Sequence, residues 1–104
     1  MKRVEFTDKI TTLIRMMIDE GEKPIIDFVK RSDDEQNRLF KEGKSKCDGY
    51  KIRSAHQDGK AADIYFIDQN QLVPPKKGYD YWHEIWQDLM DGKPIIQWDQ
   101  GHFE

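Results

Sequence analysis

Ile10, Leu13, Ile14, Met17 and Ile18 recur at intervals of three and four near the start of the chain. That spacing puts them on one face of a helix. Thr7 can cap its start and Gly21 can end it. The stripe reads as core. Beyond Pro24 the pattern changes, and Ile25-Ile26-Asp27-Phe28-Val29 is a short strand-like run. Ser32-Asp33-Asp34-Glu35 then reads as a capping box, with Glu35 three residues after the Ser32 cap. Its acidic residues suit the positive end of a second helix. Gly43 stops that helix, and Leu39 and Phe40 face inward.

Residues 43–55 are polar and loop-like. Residues 61–67, AADIYFI, have the β-branched and aromatic content of a strand. Pro74-Pro75 and Gly78 mark a second loop, 68–80. A third helix carries Trp82, Ile85, Trp86, Leu89 and Met90 on one stripe and ends at Gly92. Ile95-Ile96-Gln97-Trp98 reads as a short strand leading into Asp99-Gln100-Gly101-His102. Helices and strands are interspersed, yet the connections are too short for several parallel crossovers. The pattern predicts an α+β domain, with helices packed on a small, mainly antiparallel sheet.

Composition narrows the function classes. A chain of 104 residues forms one domain, 1–104, with room for one core and one site. Hydrophobic residues make up 37% and charged residues 36%, so the core is thin, and 3 Trp, 4 Tyr and 5 Phe must make it effective. No apolar run approaches the ~18 residues of a membrane span. The start, MKRVEFTDKI, lacks the apolar stretch of a secretory signal. A single cysteine, Cys47, excludes an internal disulfide and a Cys-rich zinc finger. The net charge of −3 argues against phosphate-driven nucleic-acid binding. Lys41, Lys44, Lys46 and Lys51 read as a solvated face. A monomer is expected.

The chemistry concentrates around two of the three histidines. His56 lies in Ser54-Ala55-His56-Gln57-Asp58-Gly59-Lys60-Ala61-Ala62-Asp63, which places Asp63 inside the following strand. A carboxylate within an apolar strand is costly unless something neutralises it, and a divalent metal would do so. His102 follows Asp99 by three residues. His56, Asp63 and His102 are ligands of the right type for zinc, whose catalytic sites keep a fourth position for water. Asp99 is then a candidate base for metal-assisted hydrolysis. On spacing alone, a hydrogen-bonded structural pair is the commoner reading of a His and an Asp seven residues on. His83, beside the apolar stripe of the third helix, reads as a surface or cap-like residue. Trp98 and Tyr65 suit either a cleft wall or the core.

The run Ser54-x-His56-x-x-Gly59-x-Ala61-x-Asp63 resembles the signature of the zinc metallopeptidase family of DD-carboxypeptidases and L-alanyl-D-glutamate endopeptidases. Asp99-x-x-His102-Phe103-Glu104 is similar to that family's catalytic carboxylate and last zinc ligand. Arg31-Ser32-x-x-x-Gln36-x-x-Leu39-Phe40-x-x-Gly43 resembles the segment upstream of its zinc motif. The three elements stand in the family's order and span residues 31–104. The resemblance implies His56, Asp63 and His102 as zinc ligands and Asp99 as general base. It implies Arg31 as the group that holds substrate and stabilises the oxyanion, and Ser54 as a supporting hydrogen-bond residue. Gly59 would let the loop turn, and Ala61 would leave small volume beneath the metal. Gln36 matches a family position without an assigned role. Many members carry Glu where this chain has Asp99. Gly92-Lys93-Pro94-Ile95-Ile96 stands where an aromatic-glycine stretch is common.

The resemblance further implies a fold like that of the Hedgehog domain and the DD-peptidases. It implies hydrolysis of an amide bond in peptidoglycan stem peptides with Zn2+. L-Ala–D-Glu endopeptidase action, as in a compact endolysin, is favoured over carboxypeptidase or dipeptidase action on terminal D-Ala. Such a protein is cytoplasmic until lysis releases it, or it works in the periplasm or cell wall if a leader was trimmed. A zinc-binding domain of the same fold without catalysis is the rival from another class. Retention of Asp99 and Arg31 speaks against it. A metal-dependent nuclease is a weaker rival, disfavoured by the lack of a basic surface.

Overall fold

The computed structural model describes residues 1–27, 32–45, 47, 49 and 54–104. Three helices, α1 (Arg3–Asp19), α2 (Asp33–Lys41) and α3 (Tyr79–Met90), accompany four strands, β1 (Pro24–Ile26), β2 (Ala62–Asp68), β3 (Gln71–Val73) and β4 (His102–Phe103). Among the described residues every strand pairing is antiparallel: β2 pairs β1, β3 and β4. The molecule is a small α+β domain, as the sequence pattern predicts.

α1 begins earlier than Thr7. Phe6, 1% exposed, extends the apolar stripe upstream, so the helix propagates back to Arg3 with Lys2 as its cap. Thr7 instead donates its hydroxyl to the Arg3 carbonyl, 3.0 Å away. Ile18, at the end of the stripe, is 44% exposed. At the C-terminus Gly21 takes φ +88, its N–H bonds Ile18 O, and Glu22 N–H bonds Met17 O, a glycine-terminated helix end. Ser32 caps α2, its side chain accepting the Glu35 N–H at 3.0 Å. The inward residue of this short helix is Gln36, fully buried, while Phe40 is 44% exposed, contrary to the apolar reading. Gln36 Nε2 donates to Ser45 Oγ and to Cys47 O, so its amide holds the following loop where an apolar side chain could not.

β2 is the centre of the fold. Ala62, Ile64 and Phe66 are buried on one face, against Phe6, Ile10, Leu13 and Met17 of α1 and Trp82, Trp86 and Met90 of α3. Alternation sends Asp63, Tyr65 and Ile67 to the opposite face. The segment 68–80 is not all loop. Gln69 and Asn70, at φ +50 and +63, form a two-residue turn that brings β3 back onto β2. Leu89, expected on the α3 stripe, is 68% exposed, at the margin of the buried face.

The run Ile95–Trp98 is not a strand. It enters a turn closed by Asp99 N–H to Ile96 O, and Trp98 is 78% exposed. The strand is β4, with Phe103 fully buried in the core. His83 is not at the surface: it is 2% exposed, stacked on Phe103 with ring centroids 4.0 Å apart. Its Nε2 lies 2.6 Å from the Gln100 carbonyl. The predicted strand residues Phe28 and Val29 lie outside the described residues. Among the described residues no helix is long and apolar enough to cross a membrane.

Candidate metal centre

The β2–β4 register builds the centre. Asp63 stands directly opposite His102, so both side chains leave the same face of the sheet, turned away from α1 and α3. His56 comes from the turn before β2, where Gly59 adopts φ +67 and Lys60 N–H bonds Ala55 O to bring the chain round. Ser54 Oγ accepts the His56 N–H at 3.2 Å and so fixes the base of that turn.

The donor atoms converge. His56 Nε2 lies 3.2 Å and His102 Nδ1 lies 3.5 Å from Asp63 Oδ1, and the three ligand atoms fall within 4.8 Å of one another. Bonds of roughly 2.1 Å to a tetrahedral ion put its ligands roughly 3.4 Å apart, close to the two separations from Asp63, and two imidazoles and one carboxylate are donors that a divalent ion accepts. His56 and Asp63 are buried and His102 is nearly so. This group can hold a metal ion.

The electrostatics of the cluster follow from the same contacts. Burial would raise the Asp63 pKa, but hydrogen bonds from His102 and His56 more than reverse this and hold the carboxyl well below the usual range. Burial pushes His102 down, and its bonds to Asp63 and Glu104 outweigh that, raising it to about 9. Tyr65 is pushed up to about 12 by burial and by the charges of Asp63, Asp99 and Asp27, which leaves its phenol an O–H donor at neutral pH.

These residues line one groove of about 650 Å³. His56, Asp63, His102, Asp99 and Ser54 all reach it, with Tyr65 and Trp98 also in its walls. Asp99 is held by the turn in which His102 N–H bonds its carbonyl at 3.1 Å. Arg31 lies outside the described residues. No family model, curated protein or solved structure matches the chain.

Three supporting residues were not assigned these roles from the sequence. Gln57, 2% exposed, accepts from Ser54 N–H and donates to Asp33 Oδ1 and Gly49 O, tying the His56 turn to α2. It carries no pattern of its own, only its place within the motif. His83 fastens the Gln100 carbonyl. Glu104 meets His102, and the two-residue spacing along a strand was the available signal.

Proposed function

We propose that the chain is a zinc-dependent peptidase that hydrolyses an amide bond of peptidoglycan stem peptides, with L-Ala–D-Glu as the favoured bond. The observation that carries the reading is the convergence of His56, Asp63 and His102 beside Asp99 in one groove. The sequence resemblance supplies the substrate class and the finer expectation of a Hedgehog- and DD-peptidase-like arrangement. The retained Asp99, not needed to hold metal, favours catalysis over a purely zinc-binding role.

A zinc ion held by His56, Asp63 and His102 supplies Lewis-acid chemistry, polarising a carbonyl and making water easier to deprotonate. Asp99 takes the proton of the attacking water and returns it to the departing amine. The turn to His102 keeps that carboxylate beside the cluster. Arg31, by resemblance, grips a substrate carboxylate through paired charge-assisted hydrogen bonds. Tyr65 offers its phenolic proton to a chain lying in the groove.

Endopeptidase action is favoured because a carboxypeptidase needs a wall at one end of its site to receive a free carboxylate. One candidate for such a wall, the segment 68–80, is partly used by β3 and its turn. The test is digestion of purified peptidoglycan with zinc, followed by mass spectrometry of the released muropeptides. L-Ala–D-Glu cleavage by the parent and its loss in Asp99→Ala support the reading. Release of D-Ala alone overturns the choice of bond, and untouched stem peptides overturn the peptidase.

A further inference from the structure

We propose that Glu104 is a positioning residue for the metal centre, accepting the Nε2–H of His102 so that Nδ1 faces Asp63 and His56. The inference rests on the metal reading above. A neutral imidazole has one N–H and one lone pair, and the hydrogen bond made by one nitrogen decides what the other presents. His102 Nε2 lies 3.0 Å from Glu104 Oε1, while Nδ1 lies 3.5 Å from Asp63 Oδ1. An ionised carboxylate only accepts, so Nε2 donates to Glu104, and a cation that replaces the Nδ1–H shared with Asp63 then meets the Nδ1 lone pair.

The carboxylate is itself anchored. Lys93 Nζ pairs with Glu104 Oε2. The Glu104 main-chain carbonyl accepts from Lys93 N–H at 2.8 Å and from Trp86 Nε1 at 3.2 Å. Trp86 is fully buried, and the chain at Gly92 runs so close to it that an added Cβ would stand 2.1 Å from Nε1. The core thus holds the residue that aims the ligand. Partners of this kind orient metal-bound histidines and raise their basicity. A merely solvated Lys93–Glu104 pair is the competing account: the Lys93 side chain is 71% exposed, and such pairs contribute little.

The experiment compares the full chain with Glu104→Ala, Glu104→Gln and Lys93→Met. Zinc affinity is read by competition with a chromophoric chelator, and the centre by the absorption of the cobalt(II)-loaded protein. Glu104→Ala is expected to bind zinc about 10- to 100-fold more weakly and to change the cobalt spectrum. Glu104→Gln, whose amide oxygen still accepts the N–H, recovers most of the affinity, and Lys93→Met shifts it only a few-fold. Parental affinity and spectrum in Glu104→Ala, or Gln binding as weakly as Ala, overturns the proposal and leaves the metal reading standing. No zinc on the parent overturns both. If Glu104→Ala fails to fold, long-range proton–nitrogen spectra of the zinc-loaded parent decide: Nε2–H with Nδ1 coordinated supports the role, and coordination through Nε2 overturns it.

Discussion

Asp99 and His102 illustrate how much a single turn specifies. The backbone bond between them fixes the carboxylate one turn away from an imidazole that faces the groove. Under the proposed mechanism Asp99→Ala removes the base without touching a proposed metal ligand, so zinc should stay bound while turnover falls. General-base removal typically costs on the order of 10²–10⁴ in rate. Steady-state hydrolysis of a stem peptide, with zinc content measured on the same sample, checks both halves. A variant as active as the parent would remove Asp99 from the mechanism. That His56, Asp63 and His102 come together was legible because a carboxylate within an apolar strand is unusual and calls for partners. His83 was not: its neighbours in sequence describe a helix flank, and only the arrival of Phe103 and Gln100 from the far end of the chain buries it.

At the scale of elements, apolar periodicity identified α1 and α3, a capping box identified α2 and β-branched content identified β2, but the margins were misjudged. Phe40 and Leu89, both expected to face inward, are 44% and 68% exposed among the described residues, and exposure depends on which elements pack over a position. β3 was hidden because its three residues are mostly exposed and carry no strong apolar signal. The apolar run Ile95–Trp98 was misread for the opposite reason: it is rich in strand-forming residues but its backbone is committed to the turn that sets Asp99. The pairing of β4 with β2, which makes the centre, depends on a close approach at Gly101. Its carbonyl accepts Ile64 N–H at 2.8 Å. An added Cβ there would stand 2.6 Å from Tyr65 Cε1 and 3.0 Å from Ile64 O. Gly101→Ala should therefore force the two strands apart, costing about 1–3 kcal/mol as overpacking does. Denaturant unfolding measures the loss, and zinc affinity should fall with it. Unchanged values for both would mean the strands tolerate separation.

For the molecule as a whole, the thin core foreseen from composition is reinforced by a buried carboxylate that does not line the groove. Glu22 is 5% exposed and accepts from Trp82 Nε1 at 2.8 Å and from the Lys76 and Lys77 amides at 2.8 and 3.2 Å. It links the end of α1 to α3 and the segment before it. Burial alone would raise its pKa; the Trp82 bond, the two amides and the Lys76 charge outweigh that and hold it below its usual 4.5. A carboxyl depressed in the folded state contributes stability above its unfolded pKa and loses it as pH falls through the folded value. Glu22→Gln should cost about 1–3 kcal/mol at pH 7, because an amide cannot accept all three donors. The difference from the parent should shrink as the pH drops below the unfolded value and through the lowered folded one. Denaturant titrations across that range check it, and a pH-independent difference would contradict the assignment. No single stretch of sequence foretold this link, because its donors lie more than fifty residues from the acceptor.

The central claim is that His56, Asp63 and His102 form one zinc centre, and native mass spectrometry of the zinc-equilibrated chain tests it most directly. The account predicts one zinc per parent chain and loss of that zinc in His56→Ala, Asp63→Ala and His102→Ala, with the fold followed by circular dichroism. A parent that takes up no zinc, or folded variants that all retain it with parental affinity, would contradict it.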